Sequence, residues 1–205
     1  RDEAGEITPA DADLLRLLTS IAKLTTGRQA VAVASEVLEA FGGAGYVEDT
    51  GLPLLLRDSQ VMPIWEGTTN VLALDTLRAL SHGDAGLVML REKVAGIAAA
   101  ATDSSLIEAG LAAVSAIDHA LRWVRGAATD RPVLEAGARR FAQTLGRALA
   151  LALLVEAAEW SLAHEHDGRA RAAALRFART PIDLIADADP RLDAALANDE
   201  PLSVI

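Results

Sequence analysis

Leu14, Leu17, Leu18, Ile21 and Leu24 return every three or four positions, which places them on one face of an α-helix. Thr8-Pro9 marks the start of that helix, with Thr as the N-cap and Pro in the first turn. Gly27 interrupts the pattern and predicts either a short break or a close contact. A second helix is expected over about 28–41, with Val31, Ala34, Ser35, Leu38 and Phe41 along one side. Gly42-Gly43 should end it, because glycine tolerates the left-handed backbone that closes a helix. Asp49-Thr50-Gly51-Leu52-Pro53 reads as another turn. A turn or two of helix follows over 54–59, Met62-Pro63 breaks it, and a further helix begins near Asn70. That one carries Val71, Leu74, Leu77, Ala79 and Leu80.

The character of the chain changes at Ser81-His82-Gly83-Asp84. Alanine-rich helices are predicted over 85–102, 105–128, 132–164 and 168–179. Short helices near 181–187 and 190–197 should follow. No segment alternates as a strand does. The expected fold is all-α, in two parts: a helical bundle over 1–82 and a further helical subdomain over 83–205. The longest apolar run, 148–155, lies between Arg147 and Glu156. It is well short of the roughly 20 residues that cross a bilayer, so no membrane span is expected.

Composition narrows the function classes. Of 205 residues, 51% are apolar but only 3% aromatic, so the core must be built mainly from Ala, Leu and Val. Cysteine is absent, which removes disulfides and thiolate metal sites and suits a cytoplasmic setting. The first residue is Arg1, and the chain is expected to be a piece of a longer protein. A formal charge of −10 disfavours broad binding to nucleic acid or anionic membranes. Six arginines over 121–147 and four over 168–179 are local exceptions, read as solvated or paired helix faces. The whole of 81–205 still carries 13 basic against 17 acidic residues, a net of −4.

The segments Phe41-Gly-Gly-Ala-Gly-Tyr46 and Ile64-Trp-Glu-Gly-Thr-Thr-Asn70 are the candidates for chemistry. Glu66 has apolar bulk before it and glycine after it. Such a carboxylate can be desolvated, which suits a general base, or it can cap the next helix or pair with an arginine. Gly42 and Gly43 leave backbone N–H groups free to reach phosphate oxygens, or they serve only as a helix stop. Trp65 is either a core aromatic or a pocket wall. His164 and His166 lie two apart at a helix end and point to different faces, so no metal site is expected there.

These motifs, in this order and spacing, resemble the C-terminal helical domain of the acyl-CoA dehydrogenases. The match covers roughly residues 10–80 and includes Ala34-Ser35-Glu36, the Gly42–Gly45 turn, Leu56-Arg57-Asp58 and Ile64-Trp65-Glu66-Gly67-Thr68. The resemblance implies an FAD-dependent oxidation of an acyl-CoA to the 2-enoyl-CoA. Glu66 would remove the α-proton and the β-hydrogen would leave as hydride to the flavin. Thr68, and less closely Asn70, would contact FAD, and Gly42 and Gly43 would approach the flavin of a neighbouring subunit. At the turn's further contact many members have Gln, and this chain has Glu39 instead. Trp65 and Gly67 would line the substrate or flavin pocket, and Arg57 with Asp58 would hold the loop. Electron-transfer flavoprotein as acceptor, a dimeric or tetrameric assembly and a role in fatty acid metabolism are also implied.

Trp65 and the helices beyond residue 80 point to the alkylation-response-like branch with a helical C-terminal extension. A DNA-associated flavoprotein is therefore one alternative, and a non-catalytic oligomerisation module is another. Without the rest of the enzyme, the 205 residues are expected neither to hold FAD tightly nor to turn over substrate.

Overall fold

The computed structural model describes residues 5, 7–81, 83–186 and 189–202. The first lead-in residues, His82 and part of the 181–187 prediction lie outside that set. Helices dominate the described residues, with no strand among them. Their order is α1 (Pro9–Ala40), α2 (Leu52–Ser59), α3 (Thr69–Arg78), α4 (Ala85–Ala100), α5 (Ser104–Gly126), α6 (Arg131–His164), α7 (Arg169–Ala178) and α8 (Pro190–Ala197).

Helix α1 starts where Thr8-Pro9 places it. The Thr8 hydroxyl accepts from Asp11 N at 3.2 Å, and the Asp11 carboxylate accepts from Thr8 N at 3.1 Å. Two of the helix's free N–H groups are thereby satisfied. Gly27 does not break α1, which runs unbroken to Ala40. Its role is close packing: a Cβ at Gly27 would sit 2.9 Å from the Met62 carbonyl oxygen. From the end of α1 the chain turns over short 3₁₀ segments and returns along it. α2 comes first, then the 60–68 loop, then α3 against the first half of α1.

A single apolar core crosses the compositional change near residue 82. Leu17, Ile21 and Leu24 of α1 join Leu87 and Leu90 of α4, Leu106 and Ile117 of α5, and Phe141, Leu145 and Leu151 of α6. Close approach is achieved through glycine. Gly86 lies against the Asp13 backbone, Gly110 against Ala98, and Gly137 against Trp123. The second half of α1 differs: Val33, Val37 and Phe41 are exposed. With Leu52 and Leu55 of α2 they border an apolar groove of about 550 Å³.

The 181–186 stretch is irregular rather than helical. Its polar groups are taken by α6 rather than by a helix of its own. Leu184 N donates to Thr144 Oγ1 at 2.9 Å, and Arg147 Nε donates to Pro181 O at 2.6 Å. Ile182 is buried beneath. Helix α6 also amends the expectation about membranes. At 34 residues it is long and apolar enough to cross a bilayer, although 56% of its most apolar window is buried within the bundle.

Many arginines of the basic stretches are engaged inside the chain. Arg125 bonds Asp84, Arg131 bonds Glu135, Arg169 bonds Asp167, and Arg171 reaches Asp103. Arg140 lies 3.5 Å from Asp193. Each of these five guanidinium charges is met by a carboxylate of the same chain.

A candidate active-site loop held against α1

Helix α2 unwinds gradually after Ser59. Val61 N bonds to Asp58 O at 3.1 Å, Met62 N to Ser59 O at 3.1 Å, and Trp65 N to Val61 O at 2.8 Å. The chain then reverses at Glu66 and Gly67, whose φ values are 55° and 117°. The left-handed region costs a non-glycine residue about 1 kcal/mol or more. His166 and Asp199 share that backbone region, and His166 sits just beyond the end of α6. Gly67 suits its φ, and a Cβ there would press on the Leu72 side chain at 3.0 Å from Cδ2.

The turn is gripped from α1. Lys23 Nζ donates to the Gly67 carbonyl at 2.8 Å. Glu66 itself projects into solvent, as do Ile64 and Trp65. The expected desolvation of Glu66 is therefore not provided within this chain, since the neighbours that would cover it are themselves uncovered. Thr68 stands at the N-cap of α3 but its side chain caps nothing, unlike Thr8 on α1. Asn70 is exposed in the first turn of α3.

The glycine-rich turn lies elsewhere. Gly42 has φ 57°, and a Cβ at Gly42 or Gly43 would meet nothing within 4 Å. Gly45 does something different. A Cβ there would collide with the Leu38 carbonyl, so its bare backbone seats the turn on α1. Thr50 closes the following turn by donating to Ala44 O at 2.8 Å. Arg57 does not pair with Asp58. It forms a two-pronged bond to Glu48, at 2.8 and 3.0 Å, because adjacent residues on a helix point apart. The guanidinium holds the Glu48 carboxyl below its ordinary range.

The predicted residues thus form two surfaces. Trp65, Glu66, Gly67, Thr68 and Asn70 sit at the level of Lys23, while Gly42 and Gly43 sit at the far end of α1. About nineteen residues separate Lys23 from Gly42, roughly 28 Å at about 1.5 Å per residue. The chain's sequence gave little hint of Lys23. Its one signal is a lysine beside Ile21 and Leu24 on the apolar side of α1, where it is half buried. At the other end of the molecule, His164 Nδ1 lies 2.9 Å from Trp160 O and its ring stacks on that indole. No group of three metal-binding side chains occurs among the described residues.

Residues 4–81 match the family described as "Acyl-CoA dehydrogenase, C-terminal domain". Over these residues the chain is similar to that family. The likeness to acyl-CoA dehydrogenases extends beyond them. Acyl-CoA dehydrogenase family member 11 of Caenorhabditis elegans is 40% identical over 172 residues, covering 80% of this chain and 28% of the relative. The putative acyl-CoA dehydrogenase AidB of Escherichia coli K12 is 41% identical over 66 residues, 32% of this chain and 12% of that protein. The crystal structure of C. elegans ACDH-11 in complex with C11-CoA superposes with a TM-score of 0.81 at 34% identity. It covers 97% of this chain, so α4–α8 are part of the shared architecture, and 34% of that chain. The present chain spans about a third or less of each of these acyl-CoA dehydrogenase relatives.

Proposed function

We propose that this chain is the C-terminal part of an FAD-dependent acyl-CoA dehydrogenase and that Glu66 is its catalytic base. One observation carries the reading. In a chain with this family's domain, Glu66 is lifted into solvent on a left-handed turn, and Lys23 pins that turn to α1. A carboxylate presented this way is free to meet a substrate brought to it by the remainder of the enzyme. The thioester carbonyl makes the neighbouring α-hydrogen acidic, and Glu66 accepts that proton at a carboxylate oxygen. FAD, when bound, supplies the acceptor for the β-hydride.

The residues present suit such a cofactor. The Thr68 hydroxyl does not cap its helix, Asn70 is exposed, and the Gly42–Gly43 backbone is open to close approach. Because the two surfaces stand roughly 28 Å apart along α1, they serve the flavins of two subunits in the proposed homo-oligomer. The exposed Ile64 and Trp65 provide apolar area for the covering domains that would exclude water from Glu66. An acyl-CoA substrate, 2-enoyl-CoA as product, electron-transfer flavoprotein as acceptor and a cytoplasmic setting complete the proposal. The bound C11-CoA of ACDH-11 supports the substrate class.

The test is Glu66→Gln in the full-length flavoprotein. The amide keeps the shape and removes the basicity. Turnover should fall by about 10²–10⁴-fold with flavin still bound. Retention of wild-type turnover would exclude Glu66 as the base.

A further inference from the structure

The geometry points to Lys23 as the positioning residue of the active-site loop. This inference rests on the assignment of Glu66 as base. Lys23 and Gly27 are four apart on α1 and share one face. Both touch the same loop, at opposite ends. Gly27 receives the Met62-Pro63 backbone, which would lie 2.9–3.3 Å from any Cβ placed there. Lys23 holds the Gly67 carbonyl at 2.8 Å. Between these two anchors lie Ile64, Trp65 and Glu66, all exposed.

The Lys23 bond acts where the backbone is most permissive. Gly67, at φ 117°, has no side chain to restrict its peptide planes. The ammonium fixes the orientation of the Gly67–Thr68 peptide. With Thr68 held in place by its carbonyl, which accepts from Leu72 N at 2.9 Å, that orientation sets the direction in which Glu66 leaves the backbone. A cation–carbonyl bond is stronger than a neutral one, and half burial of Lys23 limits competition from water. Lys23 touches neither substrate nor cofactor in this scheme; it acts through Glu66.

Lys23→Met keeps most of the side-chain volume and removes the donor. In the flavin-loaded full-length protein its kcat should fall by about 10–100-fold with KM within about twofold, the signature of a misplaced base. Lys23→Arg, which retains a cationic donor, should recover most of the loss. A second readout needs no flavin: amide hydrogen exchange over residues 64–70 of the 205-residue chain should quicken in Lys23→Met and return towards wild type in Lys23→Arg. If Lys23→Met loses its helical circular dichroism, Lys23→Leu, which also lacks a donor, takes its place in both measurements. Unchanged exchange and unchanged kcat in the donorless variant would overturn the inference. Should Glu66→Gln stay active, the base assignment fails by itself, and the exchange experiment still decides whether Lys23 holds the loop.

Discussion

Gly27 provides the sharpest test of how this fold is assembled. In an exposed helix interior, Gly→Ala stabilises by about 1 kcal/mol because alanine loses less backbone entropy. Gly27 faces the Met62 carbonyl at a would-be Cβ distance of 2.9 Å, with Met62 C at 3.1 Å and Pro63 N at 3.3 Å. Ordinary contact begins at 3.4 Å, so the loop must retreat by about 0.5 Å, and the obstructing atoms are backbone rather than a pliable side chain. Overpacking of this kind costs about 1–3 kcal/mol. The helix-propensity gain offsets about 1 kcal/mol, leaving Gly27→Ala destabilised by about 0–2 kcal/mol. Gly96, in α4 with nothing within 4 Å of its would-be Cβ, is the internal control. Gly96→Ala should gain about 0.5–1 kcal/mol. At about 2–4 °C per kcal/mol for a chain of this size, the two variants should move Tm in opposite directions. Urea unfolding followed by circular dichroism gives the same comparison as free energies. A Gly27→Ala variant stabilised as much as Gly96→Ala would refute the close approach of the loop to α1, and with it the idea that two anchors hold the site.

Three further outcomes are expected. The Glu159 carboxylate is pushed up by partial burial, yet bonds from Asp103 N, Thr102 Oγ1 and Thr102 N outweigh that and leave its pKa below the ordinary 4.5. Arg171, chiefly, and the α5 N-terminal amides likewise lower Asp103 below 3.8. Depressed carboxylates stabilise the fold above their unfolded values and lose that contribution as pH falls through the folded ones, so Glu159→Gln should flatten the loss of stability below about pH 4.5 in acid titration of Tm. An unaltered acid limb would show that this latch contributes nothing. Phe141→Ala, at a site with no solvent exposure, should cost about 3–5 kcal/mol and lower one transition for the whole chain, because the core crosses residue 82. Two separately moving transitions in calorimetry would show that the halves fold independently. Finally, the 205-residue chain alone should show no saturable FAD binding at low micromolar concentration by flavin fluorescence, since its two cofactor-facing surfaces lie roughly 28 Å apart; saturation would contradict that.

The sequence was most informative where one residue type has one physical use. Thr8-Pro9, Gly42-Gly43 and Met62-Pro63 mark a helix start, a helix stop and a loop because capping and φ are local properties. Gly27 was ambiguous for the opposite reason. A glycine within a helical pattern looks alike whether the helix breaks there or another segment presses against it, and only the position of Met62 decides. Arg57 illustrates a second limit: adjacency suggested Asp58, whereas the bend at 42–51 brings Glu48 within reach. The 181–186 stretch looked like a weak helix, but its backbone donors and acceptors are claimed by α6. Glu66 was visible through motif and spacing, while Lys23, 44 positions from its carbonyl partner, was not, because such a pairing exists only once α3 has folded back along α1.

The continuity of α1 makes it a ruler with a phase as well as a length. Each residue added or removed between Lys23 and Gly42 would shift the glycine turn by about 1.5 Å and rotate it about 100° relative to Glu66. Length variation is consequently locked out of a stretch that looks, residue by residue, like permissive alanine-rich helix. In a scan of single-residue insertions, tolerated positions should gather in the turns near 48–51 and 83–84 and vanish across 23–42.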